Sequence, residues 1–360
     1  MVSLASVVQA EEKANPVLTA LSSTTISGYV DTSVIWKIGR DSSQGVRGVG
    51  LPAGSRAYDG MDKQDGINLN VVGLTIERPL DETEWAAGYK VDLLFGPDAN
   101  LYRTTLSSDS QFAIKQAYVA LRAPLGNGLD FKIGVYDNPL RYESFESYKN
   151  PNYSRSYGYV IEPNAFTGVN VSYKFTDWFC MFGGVAESPS DLINARSSRN
   201  GINNENQKTF YGGITLTATS DLGFLEGSTL TAGAYDGLPH NADVVNWLGT
   251  IIRPRDVTGI FVGGTINTPL KGLAIGGSWD YRIQRANVTP AGGSPEGYHA
   301  DEYAVAGYIV YSGIEKLKLA LRADYYNSGY DNHIPLKNYI YYEYPNGGVN
   351  PIQPELLALT

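Results

Sequence analysis

Residues 85–95 read Trp-Ala-Ala-Gly-Tyr-Lys-Val-Asp-Leu-Leu-Phe, so Trp85, Ala87, Tyr89, Val91, Leu93 and Phe95 share one side. Lys90 and Asp92 fall on the other side, among small residues. A strand turns successive side chains to opposite faces, so one face here meets something apolar and the other meets water. The pattern returns in Leu129, Phe131, Ile133 and Val135 against Asp130, Lys132 and Tyr136. It returns in Leu273, Ile275, Gly277, Trp279 and Tyr281 against Asp280, Arg282 and Gln284, and in Leu317, Leu319, Leu321, Ala323 and Tyr325 against Lys318, Arg322 and Asp324. Ten-residue segments of this kind, with charge on one face and aromatics near the ends, are what a transmembrane β-barrel requires.

The alternation places strands near 25–37, 66–78, 85–96, 111–123, 128–137, 166–175, 178–187, 208–219, 228–236, 257–267, 273–284, 302–311, 317–327 and from 355 onward. The segment 66–78 changes phase, from Ile67, Leu69 and Val71 to Val72, Leu74 and Ile76, which predicts a bulge near Gly73. Segments 111–123 and 178–187 alternate less cleanly. Short links at 79–84, 124–127, 176–177, 220–227, 268–272 and 312–316 alternate with long ones at 38–65, 97–110, 138–165, 188–207, 237–256, 285–301 and 328–354. Outer-membrane barrels have short periplasmic turns and long extracellular loops. The predicted fold is therefore all-β, a closed transmembrane antiparallel up-and-down barrel of about fourteen strands with its N-terminus in the periplasm.

Residues 1–24 are expected to be a residual signal or periplasmic segment, since Val7-Val8-Gln9-Ala10 before Glu11-Glu12 resembles the end of a secretory signal. Residues 25–360 are expected to form one barrel. Glu355-Leu-Leu-Ala-Leu-Thr360 reads as the first half of a strand, so the last strand is expected to be truncated.

Composition narrows the partners. No run of roughly 18 apolar residues exists, which excludes transmembrane helices. The net charge of −9 over 360 residues argues against nucleic acid. Glycine (40) and tyrosine (26) are abundant, as crowded barrel walls and interfacial girdles require. A single cysteine, Cys180, excludes an internal disulfide and reads as a packing residue.

Opposite the apolar stripe lie Asp31, Lys37, Lys90, Asp92, Arg122, Asp130, Lys132, Lys174, Asp280, Arg282, Lys318, Arg322 and Asp324. Facing lipid at mid-membrane, each Lys or Arg would cost about 2–4 kcal/mol. Inside a barrel these residues line a wet lumen, and their mixed signs predict weak charge selectivity. Cross-strand ion pairs are an equally good reading for each residue taken singly. The 138–165 link is the candidate constriction, with Arg141, Glu143, Glu146, Lys149 and Arg155 among Tyr142, Tyr148, Tyr153, Tyr157 and Tyr159. A link of that length without strands of its own is usually functional. Folded inward, it would set Arg141, Glu143, Glu146 and Arg155 at the narrowest part of the pore. Neutralising Arg141 and Arg155 would then shift ion preference toward cations.

Several segments resemble the OmpL-like β-barrel porin family. They are Asn68-Leu69-Asn70 with Leu74-Thr75-Ile76-Glu77, Gly88-Tyr89 with Asp92-Leu93-Leu94-Phe95-Gly96, and Gln116-Ala117-Tyr118-Val119 followed by Gly128-Leu129 and Ile133-Gly134. Asn150-Pro-Asn-Tyr-Ser-Arg-Ser156 with Phe166-Thr167-Gly168 is similar to the loop that follows a strand in these proteins. The similarity spans roughly residues 26–360. It implies a passive pore in the bacterial outer membrane and brings no catalytic residues.

The three histidines, His240, His299 and His333, fall in predicted outer links. A rim hydrolase would set one of them beside a carboxylate or serine, as Asp331 stands near His333 and Asp301 near His299. Solvated loop residues are the better reading, and no enzyme activity, metal or cofactor is expected. The leading function is passive diffusion of small hydrophilic solutes or ions through the lumen. A structural surface or anchor barrel with a plugged lumen is the alternative, and a rim enzyme comes third. Outer-membrane lipid is the expected partner, and a homo-oligomer is left open.

Overall fold

The computed structural model describes residues 23–35, 66–82, 85–102, 111–189, 192–194, 198–199, 202–203, 206–238, 244–245, 251–289, 292–328 and 355–359. Lys37, His240 and His333 lie outside them. Fourteen strands follow one another in a single antiparallel sheet. They are β1 (Thr25–Ile35), β2 (Gly66–Arg78), β3 (Ala86–Phe95), β4 (Phe112–Ala123), β5 (Leu129–Asp137), β6 (Ala165–Lys174) and β7 (Phe179–Ala186). Next come β8 (Thr209–Thr217), β9 (Thr229–Gly237), β10 (Ile251–Asn267), β11 (Leu273–Thr289), β12 (Glu296–Ile314), β13 (Leu317–Ser328) and β14 (Glu355–Leu359). Each strand pairs with its chain neighbours, the up-and-down order that short turns between antiparallel strands impose. No described helix is long and apolar enough to cross a membrane.

One face of this sheet is apolar and open. Ile26, Val30, Val119, Ile133, Val169, Met181, Ile214, Leu230, Val262, Ile275, Val305, Ile309, Leu319 and Leu321 form an exposed band that crosses the sheet from β1 to β13. Trp85, at the foot of β3, is 76% exposed. A soluble protein does not leave so large an apolar surface in water, so the band is the lipid-facing wall. The opposite face is inverted in character and buries Asp31, Asn70, Asp92, Lys115, Asp280, Glu302, Arg322 and Asp324.

Four details differ from the sequence expectations. The β2 bulge falls at Asn70 rather than near Gly73, because Asp31 pairs with Val71 and Thr32 with Leu69. A second bulge inserts Lys115 into β4, since Asp92 pairs with Gln116 and Leu93 with Ile114. That extra residue is what blurred the alternation of 111–123. Strands β10, β11 and β12 run well into the expected long links 237–256 and 285–301, so only 290–295 separates β11 from β12. Beyond the membrane both faces of a hairpin meet water, so its alternation fades, although an Arg285–Asp256 ion pair still ties β10 to β11 there. Finally, Val135, expected on the lipid face, is buried in a cluster with Leu94, Tyr102, Ala113 and Phe145. The backbone departs from regular extension at Gly134 (φ 133°), and this end of β5 is covered by neighbouring segments.

Among the described residues no ladder joins β1 to β14. The edges are nevertheless brought together. Asn70 on β2 donates to the Tyr153 hydroxyl at 2.7 Å, and Arg322 on β13 donates to the carbonyl of the adjacent Ser154 at 2.6 Å. In a flat sheet strands eleven steps apart would be about 50 Å from each other. The sheet therefore curls around the segment that carries Tyr153 and Ser154.

Candidate functional site

That segment is the link between β5 and β6. Pro139, Pro151 and Pro163 cannot donate to a ladder, so it cannot continue as a strand. Asn138 ties its two ends together by donating to the carbonyls of Leu140 and Pro163, both at 3.1 Å. Along its length it makes a short turn of 3-10 helix at Ser147–Lys149 and one turn of helix, α1 (Tyr157–Ile161), whose N-cap Ser156 accepts from the Tyr159 backbone N–H at 3.4 Å.

The link is fastened to the inner face at many strands. The Ser147 hydroxyl donates to Asp31 on β1. Glu146 meets Lys115 on β4 at 3.3 Å. The Tyr142 hydroxyl lies 2.8 Å from Thr265 Oγ1 on β10, and a side-chain carbon at Gly276 on β11 would collide with that hydroxyl. On β13, Lys318 donates to the Asn150 carbonyl at 2.8 Å, and Asp324 accepts from the Tyr157 N–H at 3.1 Å. Arg322, fully buried, donates to Glu143 at 3.1 Å and to the carbonyls of Ser154 and Arg155 at 2.6 and 2.8 Å, while its Nε meets Asp324 at 3.2 Å. Tyr136, Leu140, Phe166, Tyr211, Tyr235 and Phe261 fill the side toward β5–β10.

The described residues among those expected on the wall have varied partners. Lys90 stands 3.5 Å from Glu77 and 3.8 Å from Asp92, and Asp92 accepts from Thr75 at 2.7 Å and Gln116 at 2.6 Å. Arg122 forks onto Asp130 at 2.6 and 2.7 Å near the short turn. Lys174 pairs with Asp177 of the next turn at 2.7 Å and is mostly exposed. Arg282 donates to Glu302 at 2.5 Å, and Tyr326 donates to the same carboxylate at 2.7 Å. Lys132 lies over the Tyr118 ring at 5.1 Å.

The four loop residues singled out in the sequence are held inside the packing. Glu143 is 1% exposed and Arg155 is 3% exposed. Glu143 accepts from Arg322 and from the Ser156 N–H. Arg155 donates to the carbonyls of Phe145 and Tyr153. Arg141 covers the Tyr159 ring at 4.7 Å and stands 3.5 Å from Glu162. Burial alone would raise the Glu146 carboxyl, but Lys115 and Lys149 overcome it and hold the group well below the usual carboxylate range.

The sequence reading passed over Asn70, Lys115 and Glu162. For Lys115 the signal was present: it is a polar residue out of phase inside a strand, as a bulge residue that re-aims its side chain must be. Glu162 carries the feature with the clearest pH consequence. It is buried against Asp280 of β11, with Arg141 and Glu143 from the link and Ser278 from the wall around the pair. A carbon added at Gly158 would strike Asp280. Burial first, then the Asp280 charge, pushes the Glu162 carboxyl well above its usual value. A carboxyl raised in the seated state holds its proton there, so seating weakens as pH climbs above the ordinary carboxylate range. Cleavage within 138–165 by a low concentration of protease should therefore be faster at alkaline than at mildly acidic pH. Asp280→Asn should flatten that dependence, and an unchanged slope would refute the shared proton.

Among the described residues no cluster of His, Cys, Asp and Glu could hold a metal. His299, on β12, is exposed.

A family model described as "Putative beta-barrel porin-2, OmpL-like" matches residues 23–348. No curated protein matches the chain. Among solved structures, the outer membrane channel DcaP of Acinetobacter baumannii aligns with 11% identity over 85% of this chain and 91% of its own, at a TM-score of 0.41. OprB of Pseudomonas putida aligns with 11% identity over 80% and 86%, at 0.38. OmpT, an outer membrane protein of Vibrio cholerae, aligns with 12% identity over 72% and 79%, at 0.32.

Proposed function

The chain belongs to the OmpL-like β-barrel porin family and is a barrel of the bacterial outer membrane, and on that premise we propose that it passes small hydrophilic solutes by passive diffusion. The observation that carries this reading is the reversal of polarity across the sheet, with an apolar outer band and a charged inner face. Water is the natural filling for an interior with Lys90, Lys132 and Lys318 on its wall. The 138–165 link narrows the passage, and Arg141, Glu143, Glu146 and Arg155 contribute by holding it in place. No cofactor or covalent step enters, lipid surrounds the outer band, and a homo-oligomer fits the same function.

The tight seating of the link favours one second reading, a surface or anchor barrel whose lumen is plugged. Glu143 and Arg322 are as dry as core residues. Planar-bilayer recording separates the two. A porin gives stepwise conductance, and liposome swelling that falls with solute size. Silent bilayers containing folded protein would leave the anchor.

A further inference from the structure

We propose that the interior favours anions, and that Lys132 and Lys318 set this preference. The inference rests on the open-pore reading above.

An ion in the lumen responds to the charges that water can reach. Inner-face carboxylates among the described residues either face a cation or, like Asp31, Asp92 and Asp280, are buried away from the lumen. Glu77 faces Lys90, Asp130 faces Arg122, Glu302 faces Arg282 and Asp324 faces Arg322. Asp31 accepts from Asn70 and Ser147, and Asp92 accepts from Thr75 and Gln116. Asp280 is buried beneath Gly158 and beside Glu162. A close pair looks nearly neutral to an ion one Debye length away, about 8–10 Å at ordinary salt.

Lys132 and Lys318 differ. Both are exposed, and neither forms an ion pair among the described residues. Cross-strand from Lys132 stand Ala120 and Asn170, both neutral, and its contact is the Tyr118 ring. Lys318 donates to a neutral carbonyl, that of Asn150. The adjacent Lys149, half-exposed, adds to this side although Glu146 holds it at 3.0 Å. Both lysines lie within a few residues of a short turn, so they guard the periplasmic half of the passage. Turn carboxylates such as Asp81, Glu82 and Glu315 stand outside in bulk water, where salt screens them.

This preference runs against the net charge of −9, which by itself would favour cations. It also moves selectivity from the loop to the wall, because Arg141 stands against Glu162 and Arg155 is buried. Small anions such as chloride, carboxylates or phosphate are the solute class that two free ammonium groups would favour.

The test is the reversal potential in a planar bilayer under a potassium chloride gradient, recorded together with single-channel conductance. Wild-type channels should reverse on the anion-selective side. The double variant Lys132→Gln with Lys318→Gln, checked for folding by heat-modifiable migration, should lose most of that shift. Lys316→Gln, a turn charge paired with Glu315, should leave the potential unchanged. A conducting wild type with no anion preference, or a double variant with an unaltered potential, overturns this proposal and leaves the pore standing. Bilayers silent with folded protein overturn the pore and the preference together.

Discussion

Replacing Arg322 by Ala is expected to lower the stability of the folded barrel by about 3–5 kcal/mol, the range for removing one partner of a buried, hydrogen-bonded ion pair. The guanidinium is fully buried and serves two carboxylates, Glu143 of the inner link and Asp324 of its own strand, together with the carbonyls of Ser154 and Arg155. Its loss leaves Glu143 at 1% exposure with no cation in contact among the described residues. Lysine at this position keeps the charge but not the planar fork, so Arg322→Lys should fall between wild type and Arg322→Ala. The readout is the temperature at which folded protein converts to the slower-migrating band in a detergent gel. Equal midpoints for wild type and Arg322→Ala would mean that the link is not held by this cluster.

Much of this architecture was legible in the sequence, for a physical reason that also explains the misses. A lipid-facing wall imposes a period of two on every strand that crosses it, so strands such as β3 and β13 could be bounded to within a residue or two. The signal weakens where the constraint weakens. Above the membrane, β10, β11 and β12 continue as hairpins whose two faces meet the same solvent, and those extensions read as loops. Bulges broke the pattern at Asn70 and Lys115, and the break in β2 was assigned three residues away, at Gly73, because one sequence cannot say which strand carries the extra residue. The inner charges were identifiable as a set, but their pairing was not. Contacts such as Arg322 with Glu143, separated by 179 positions, depend on how the whole sheet curls. The same limit applies to Arg141 and Arg155, whose sequence surroundings suggested charge presented to water.

Replacing residues 141–162 by a short Gly-Ser linker between the ends that Asn138 holds together is expected to raise single-channel conductance several-fold. The link runs from β5 to contacts on β1, β2, β4 and β10–β13, so it lies against the inner face of the curled sheet. Barrel diameter grows with strand number, and a wall of this size leaves an aqueous channel unless something fills it. The same contacts also draw β2 and β13 together, so the deletion should lower the unfolding midpoint while it widens the pore. The direction of the conductance change follows from which effect dominates. Each strand keeps its ladder with its neighbours, and those ladders bury far more backbone hydrogen bonding than the link contributes, so the widened barrel should persist. Larger solutes should enter liposomes that exclude them with the wild type. If the deletion variant folds and conducts as the wild type does, the link lies outside the permeation path. If neither protein conducts, the barrel is better read as an anchor.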